Sequence, residues 1–223
     1  MPKKVFLWDI DGTILLTGGS GKTAFQRVFS DLYGAEDIWG EYTPHGKTDY
    51  QIIDQLYARR FGSPPTPAEV KKIAAYYKKF FKEDLTRTPG LRLMPAASKT
   101  FETLATRADV SLGLATGNFR EAAYLKLKLA ALDGHFAYGG FGCYAFERVE
   151  LTRVAYRRAV AHIGGEPLAL YLIGDTVNDI RCGQAIGALT VGVCTGGSTH
   201  AELVQAGATW VLTDLRRFFD VVV

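Results

Sequence analysis

Residues 5–13 read Val5-Phe6-Leu7-Trp8-Asp9-Ile10-Asp11-Gly12-Thr13, an apolar run that ends in two acids and a glycine. Four consecutive apolar residues without alternation suit a strand buried on both faces, as in a parallel sheet. Side chains two apart in an extended segment project the same way, so Asp9 and Asp11 share one site at the strand's carboxyl end. At about 4 Å two like charges repel by roughly 1 kcal/mol in water and roughly 4 kcal/mol at an effective dielectric near 20. A cation, or a reaction that uses the charges, accounts for such a pair better than an Asp-Gly hairpin turn does.

The chain has 223 residues, 48% hydrophobic and 22% charged, which is ordinary for a globular protein able to bury a real core. Its net charge of +3 is too small to imply a polyanionic partner, so no nucleic acid is expected. Cys143, Cys182 and Cys194 lack metal-ligand spacing and read as reduced thiols. The opening Met1-Pro2-Lys3-Lys4 leads into a short apolar run that meets an acid at once, unlike a secretory leader. No uncharged apolar stretch is long enough to span a bilayer. The expectation is a cytoplasmic protein without membrane contact, monomeric or homodimeric.

Five apolar runs read as strands: 5–8, 110–115, 168–173, 189–193 and 209–212. Helical patterns separate the later ones, which predicts an α/β fold, a doubly wound Rossmann-like parallel sheet with right-handed crossovers. The stretch from 17 to 89 is far too long for one crossover and reads as helical. Phe25, Val28, Phe29 and Leu32 mark one apolar stripe, and Val70, Ile73, Ala74, Tyr77 and Phe81 another. Pro64, Pro65 and Pro67 punctuate the space between helices, and Pro89-Gly90 closes the segment. The reading is an α/β core at residues 1–16 and 90–223 with an inserted α-helical cap at 17–89. Ligands of open α/β sheets bind at the carboxyl ends of the strands, where this insertion is placed to act as a lid.

Two more strand ends carry polar chemistry. Ala115-Thr116-Gly117-Asn118 offers a hydroxyl, backbone amides and a helix start, a seat for a phosphate oxygen; the same residues also make an ordinary N-cap and turn. Gly174-Asp175-Thr176-Val177-Asn178-Asp179 adds two acids at i and i+4 on one face of a helix start, where Asp179 is also placed to be a cap. Four carboxylates without a Cys–His cluster specify a hard, oxygen-liganded cation, naturally Mg2+.

These three segments, in this order, resemble the first, second and fourth motifs of the haloacid dehalogenase-like hydrolase superfamily, and the match covers nearly the whole chain. Gly18-Gly19-Ser20-Gly21-Lys22 and Gly46-Lys47-Thr48-Asp49 resemble segments of the cap in phosphoglycolate-phosphatase-like members. The resemblance implies a phosphatase acting on a small phosphorylated metabolite, phosphoglycolate being the named candidate, through an aspartyl-phosphate. It implies Asp9 as nucleophile and Asp11 as general acid, then base. Mg2+ would be held by Asp9, the backbone carbonyl of Asp11, and Asp175, with Asp179 ligating metal-bound water. Thr116, Gly117 and Asn118 would seat the phosphoryl group, and Lys47, His45 and Lys22 would read the leaving group from the cap.

The sequence departs from the superfamily at its third motif, where a Lys-Pro pair is common. Residues 141–151 contain neither lysine nor proline. Lys126, on the helix after Asn118, is the first candidate for the missing cation and Arg148 the second; Lys128 points to a different face. Gly18–Thr23 is not a phosphate-binding P-loop, because Leu16 stands where the pattern needs glycine. The basic-aromatic run at 76–82 is a solvated helix face by its phase. A sugar phosphomutase of the same superfamily shares every core residue and is the alternative enzyme. A non-hydrolytic phosphate-binding regulator is the alternative outside enzymes.

Overall fold

The apolar run at residues 5–8 lies at the middle of a six-stranded sheet and is hydrogen-bonded to a neighbour on each side. The computed structural model describes residues 3–87 and 90–222. The Met1-Pro2 start and the expected close of the insertion at Pro89 lie outside the described residues. Strand β1 (Lys4–Trp8) is followed by the two-residue β2 (Leu15–Leu16) and then by α1 (Ser20–Tyr33), α2 (Asp49–Phe61) and α3 (Pro67–Arg87). A short β3 (Arg92–Leu93) returns antiparallel to β2, so a small ribbon bounds the helical insertion. Beyond it helices and strands alternate: α4 (Ala97–Ala105), β4 (Val110–Thr116), α5 (Arg120–Leu129), β5 (Tyr138–Phe141), α6 (Arg148–Ile163) and β6 (Ala169–Gly174). The chain ends through α7 (Val177–Gln184), β7 (Leu189–Val193), α8 (His200–Gln205) and β8 (Trp210–Leu212).

The main sheet runs β5-β4-β1-β6-β7-β8 with every pairing parallel. All five expected strands are present, their ends shifted by no more than one residue. The β5 strand, Tyr-Gly-Gly-Phe, is not expected from the pattern. Alternation explains the double burial of β1: Phe6 and Trp8 join a cluster with Phe101, Tyr171 and Phe218 on one face. Val5 and Leu7 join Leu172, Ala155 and Ala159 on the other. Each such large side chain removed from water contributes roughly 1.5–3 kcal/mol.

The insertion packs on its own apolar cluster, in which Phe25, Val28 and Phe29 of α1 meet Ile73, Tyr77 and Phe81 of α3. Phe25 and Tyr77 stack with ring centroids 4.0 Å apart. Pro67 opens α3, where the missing amide proton would have had no helical partner. Thr48 caps α2 reciprocally with Gln51. Phe119 and Ala122, at the start of α5, belong to the same cluster, which seats the helices over the carboxyl ends of the strands. Among the described residues no helix is long and apolar enough to cross a membrane.

Candidate active site

Asp9 follows β1 directly, its amide donating to the Ile173 carbonyl at 2.9 Å, and its side chain is buried. Asp175, beyond β6, and Asp179, in the first turn of α7, are buried beside it. One carboxylate oxygen from each of the three lies within 4.8 Å of the others. Asp179 does two jobs: one oxygen completes a capping box with Thr176, and the other meets the Arg148 guanidinium.

Arg148, at the start of α6, is itself buried and reaches Asp9 Oδ1 at 3.1 Å. Burial works against its charge, yet Asp179 and Asp9 hold its proton affinity above the ordinary arginine value. Burial pushes the Asp9 carboxyl up to about 7, with Arg148 opposing and Asp179 and Asp11 adding. Asp175 is raised as well, first by burial and then by Asp179 and Asp9. One guanidinium therefore faces three buried carboxylates. An all-oxygen cluster with excess negative charge fits a hard divalent cation such as Mg2+.

Asp11 turns elsewhere. Its carboxylate is not part of the cluster of three and is 40% exposed. Both its oxygens accept from Lys126 Nζ, at 2.7 and 2.6 Å. Asn118 joins this pair, donating from Nδ2 to Asp11 Oδ2 at 2.8 Å and accepting from Lys126 at 2.7 Å. The two candidate cations of the sequence are thus divided between the two aspartates, Arg148 on Asp9 and Lys126 on Asp11. Thr116 is fully buried, its hydroxyl oxygen accepting from Asn118 Nδ2 at 2.7 Å.

A cavity of about 310 Å³ joins these groups to the cap. Asp9, Asp11, Gly117, Asn118, Lys126, Arg148 and Asp175 line its floor, and Lys22, His45, Lys47 and Asp49 line its roof. Leu16, Phe25, Trp39, Ile52 and Tyr77 add apolar walls, and Lys22 Nζ stands 4.9 Å from the Trp39 ring centroid. Three supports hold Asp175, one from Thr13 of the first motif and two from Gly196 and Gly197, and their meeting at this carboxylate has no signal in sequence. Thr13 donates to its Oδ1 at 3.2 Å and the Gly197 amide to its Oδ2 at 2.5 Å. Gly196 packs so closely that a Cβ there would overlap Asp175 Oδ2.

A parallel α/β sheet whose acids gather at the strand ends beside inserted helices is the frame of a ligand-handling α/β enzyme. A sequence model of the haloacid dehalogenase-like hydrolases matches residues 3–187, and the chain belongs to that family. It is similar to a phosphoglycolate phosphatase from Haemophilus influenzae, 23% identical over 164 residues that cover 73% of this chain and 71% of the relative. It is also similar to a phosphonoacetaldehyde hydrolase from Lactiplantibacillus plantarum, 28% identical over 217 residues, covering 89% of this chain and 78% of that protein. A solved structure described as a predicted phosphoglycolate phosphatase from Haemophilus somnus superposes with a TM-score of 0.75. It covers 99% of this chain and 98% of its own at 18% identity, a likeness of fold.

Proposed function

We propose that this hydrolase is a magnesium-dependent phosphatase of a small phosphorylated metabolite, with phosphoglycolate the first candidate from the relatives' names. The observation that carries the reading is the division of labour at one strand end. Asp9 is buried against a guanidinium at 3.1 Å, while Asp11 stands half-exposed in the same cavity.

An Asp9 oxygen attacks phosphorus in line, the ester P–O bond breaks, and the leaving oxygen takes a proton from Asp11. Asp11, now a carboxylate, accepts a proton from water, whose oxygen attacks the aspartyl-phosphate and releases inorganic phosphate from Asp9. Arg148 balances charge on Asp9, and the Gly117 amide at the cavity floor, carried by the Thr116–Asn118 turn, seats the phosphoryl oxygens. Lys126 and Asn118 hold Asp11 in place. Lys47, His45 and Lys22 face the leaving group, matching the negative charge of a small organic acid phosphate. The side chains of Asp9, Asp175 and Asp179 and the backbone carbonyl of Asp11 would hold Mg2+, which supplies charge neutralisation to phosphoryl oxygens when bound.

The test is hydrolysis of p-nitrophenyl phosphate and phosphoglycolate with and without Mg2+. Asp9→Asn is expected to lower Mg2+-dependent turnover by at least about a thousandfold, as loss of a nucleophile does. Turnover by this variant near that of the parent removes Asp9 from the role.

A further inference from the structure

Residues 46–49 cross from the cap onto the core and are held there by three separate core segments, the start of α7 and the loops around Phe146 and Asn118. Asn178 Nδ2 donates to the Gly46 carbonyl at 3.0 Å, and the Thr48 hydroxyl donates to the Phe146 carbonyl at 2.9 Å. Asp49 makes the tightest pair of contacts. Its amide donates to the Gly117 carbonyl at 2.8 Å, and its Oδ2 accepts from the Phe119 amide at 2.6 Å. Asp49 therefore grips the chain on both sides of Asn118, the residue that bonds Asp11, Thr116 and Lys126. The approach is close enough that a Cβ on Gly117 would overlap the Lys47 carbonyl oxygen.

Asp49 is 5% exposed, and among the described residues no cation lies within salt-bridge distance of it. Burial pushes its carboxyl up to about 7, against the Phe119 hydrogen bond and Lys126. A carboxyl buried on such terms costs folding free energy. An acid in the first turn of α2 also favours the helix dipole, but a solvent-facing position would do that as well and would not need the Phe119 amide.

We propose that Asp49 is a positioning residue through which cap closure assembles the phosphate seat: its backbone and carboxylate fix the 117–119 loop, and with it Asn118, only when the cap is down. The proposal rests on the phosphatase reading in taking Gly117, on the Thr116–Asn118 turn, as the phosphoryl seat. Opening the cap releases the loop, so the seat and the Asp11 hydrogen bond lose their geometry together. Product release and site disassembly are then one motion.

The experiment compares the full chain with Asp49→Ala, Asp49→Leu and Asp49→Asn. It reads hydrogen exchange of the 117–119 amides and steady-state kinetics on p-nitrophenyl phosphate, with circular dichroism confirming the fold. Asn keeps an acceptor for the Phe119 amide; Ala and Leu do not. Loss of that one hydrogen bond is expected to speed exchange about tenfold and lower kcat about tenfold, with KM changing less. Asp49→Asn is expected within about threefold of the parent in both. Parental exchange and kcat in a folded Ala or Leu variant overturn the proposal, as does an Asn variant as impaired as Ala. If the parent hydrolyses no phosphate ester the phosphatase reading fails, and the exchange measurement alone decides the latch.

Discussion

Arg148 Nη2 lies 3.1 Å from Asp9 Oδ1, and the same guanidinium bonds Asp179, so one side chain from α6 ties the end of β1 to the start of α7. All three groups are buried. Removing one partner of such an arrangement leaves uncompensated charge, typically costing about 3–5 kcal/mol. Arg148→Met is therefore expected to lower the melting temperature of the metal-free protein by several degrees and to abolish most phosphatase turnover. Because the variant leaves three carboxylates without their cation, Mg2+ is expected to raise its melting temperature more than the parent's. Thermal scans with EDTA and with Mg2+ check this; equal shifts in parent and variant would count against a shared site.

The position of Arg148 also shows where sequence reasoning stops. Strand-end acids are legible because an apolar run that breaks into Asp pays a burial and repulsion cost that a cation or a reaction must offset. Asp9, Asp11, Asp175 and Asp179 can all be picked out on that ground. The cation cannot, since a lysine on the helix after Asn118 and an arginine opening the next helix look alike without the packing that buries them. The β5 strand is illegible for a different reason. Its Gly140 is required because a Cβ there would overlap the Leu151 carbonyl of α6, so close packing selects residues with no strand propensity. Likewise the supports of Asp175 come from Thr13 and residues 196–197, distant in sequence and joined only by the fold.

Lys126 acts on the other aspartate, and its loss should look different from the loss of Arg148. It is buried and touches both Asp11 oxygens, whereas Asp11 is half-exposed. Lys126→Met is expected to lower kcat on the order of tenfold to a hundredfold, the range for a misplaced general acid. It should leave the Mg2+ concentration for half-maximal activity within about twofold, since that charge lies outside the Asp9–Asp175–Asp179 cluster. A Lys126→Met enzyme that needs much more Mg2+ but keeps its kcat would move Lys126 to the metal side of the site.

The buried carboxyls make stability depend on pH. Asp9 and Asp49 each have an ordinary value of 3.8 and are raised to about 7 in the folded protein. Between those values the native state binds protons that the unfolded chain has released. Stability from these groups is therefore complete below about pH 4 and is lost as pH rises toward 7, at a rate on the order of 1 kcal/mol per pH unit for each group. In EDTA, once the opposing titration of ordinary carboxylates is complete, the melting temperature is expected to decline toward pH 7. Mg2+ binds the ionised carboxylates, so its stabilising shift should grow over the same interval. Thermal unfolding at pH 5, 6, 7 and 8 with and without Mg2+ measures both; a metal-induced shift that shrinks with rising pH would contradict the assignment.

Asp175 is held in a slot that only glycine leaves open. The Gly197 amide and the Thr13 hydroxyl bond its two oxygens, and Gly196 packs against Oδ2 with no room for a methyl group. In Gly196→Ala either the 195–197 loop retreats or the Asp175 side chain rotates out of the acidic cluster. Both outcomes weaken the Gly197 hydrogen bond and misplace one of the three proposed metal-binding carboxylates. The Mg2+ dissociation constant, read by titration calorimetry, is expected to rise about tenfold or more, in line with losses from disturbing outer supports of a metal site. Excess Mg2+ should recover much of kcat, because Asp9, Asp11 and Arg148 are untouched. If Gly196→Ala instead lowers kcat equally at all Mg2+ concentrations, the loop serves the phosphoryl group rather than Asp175.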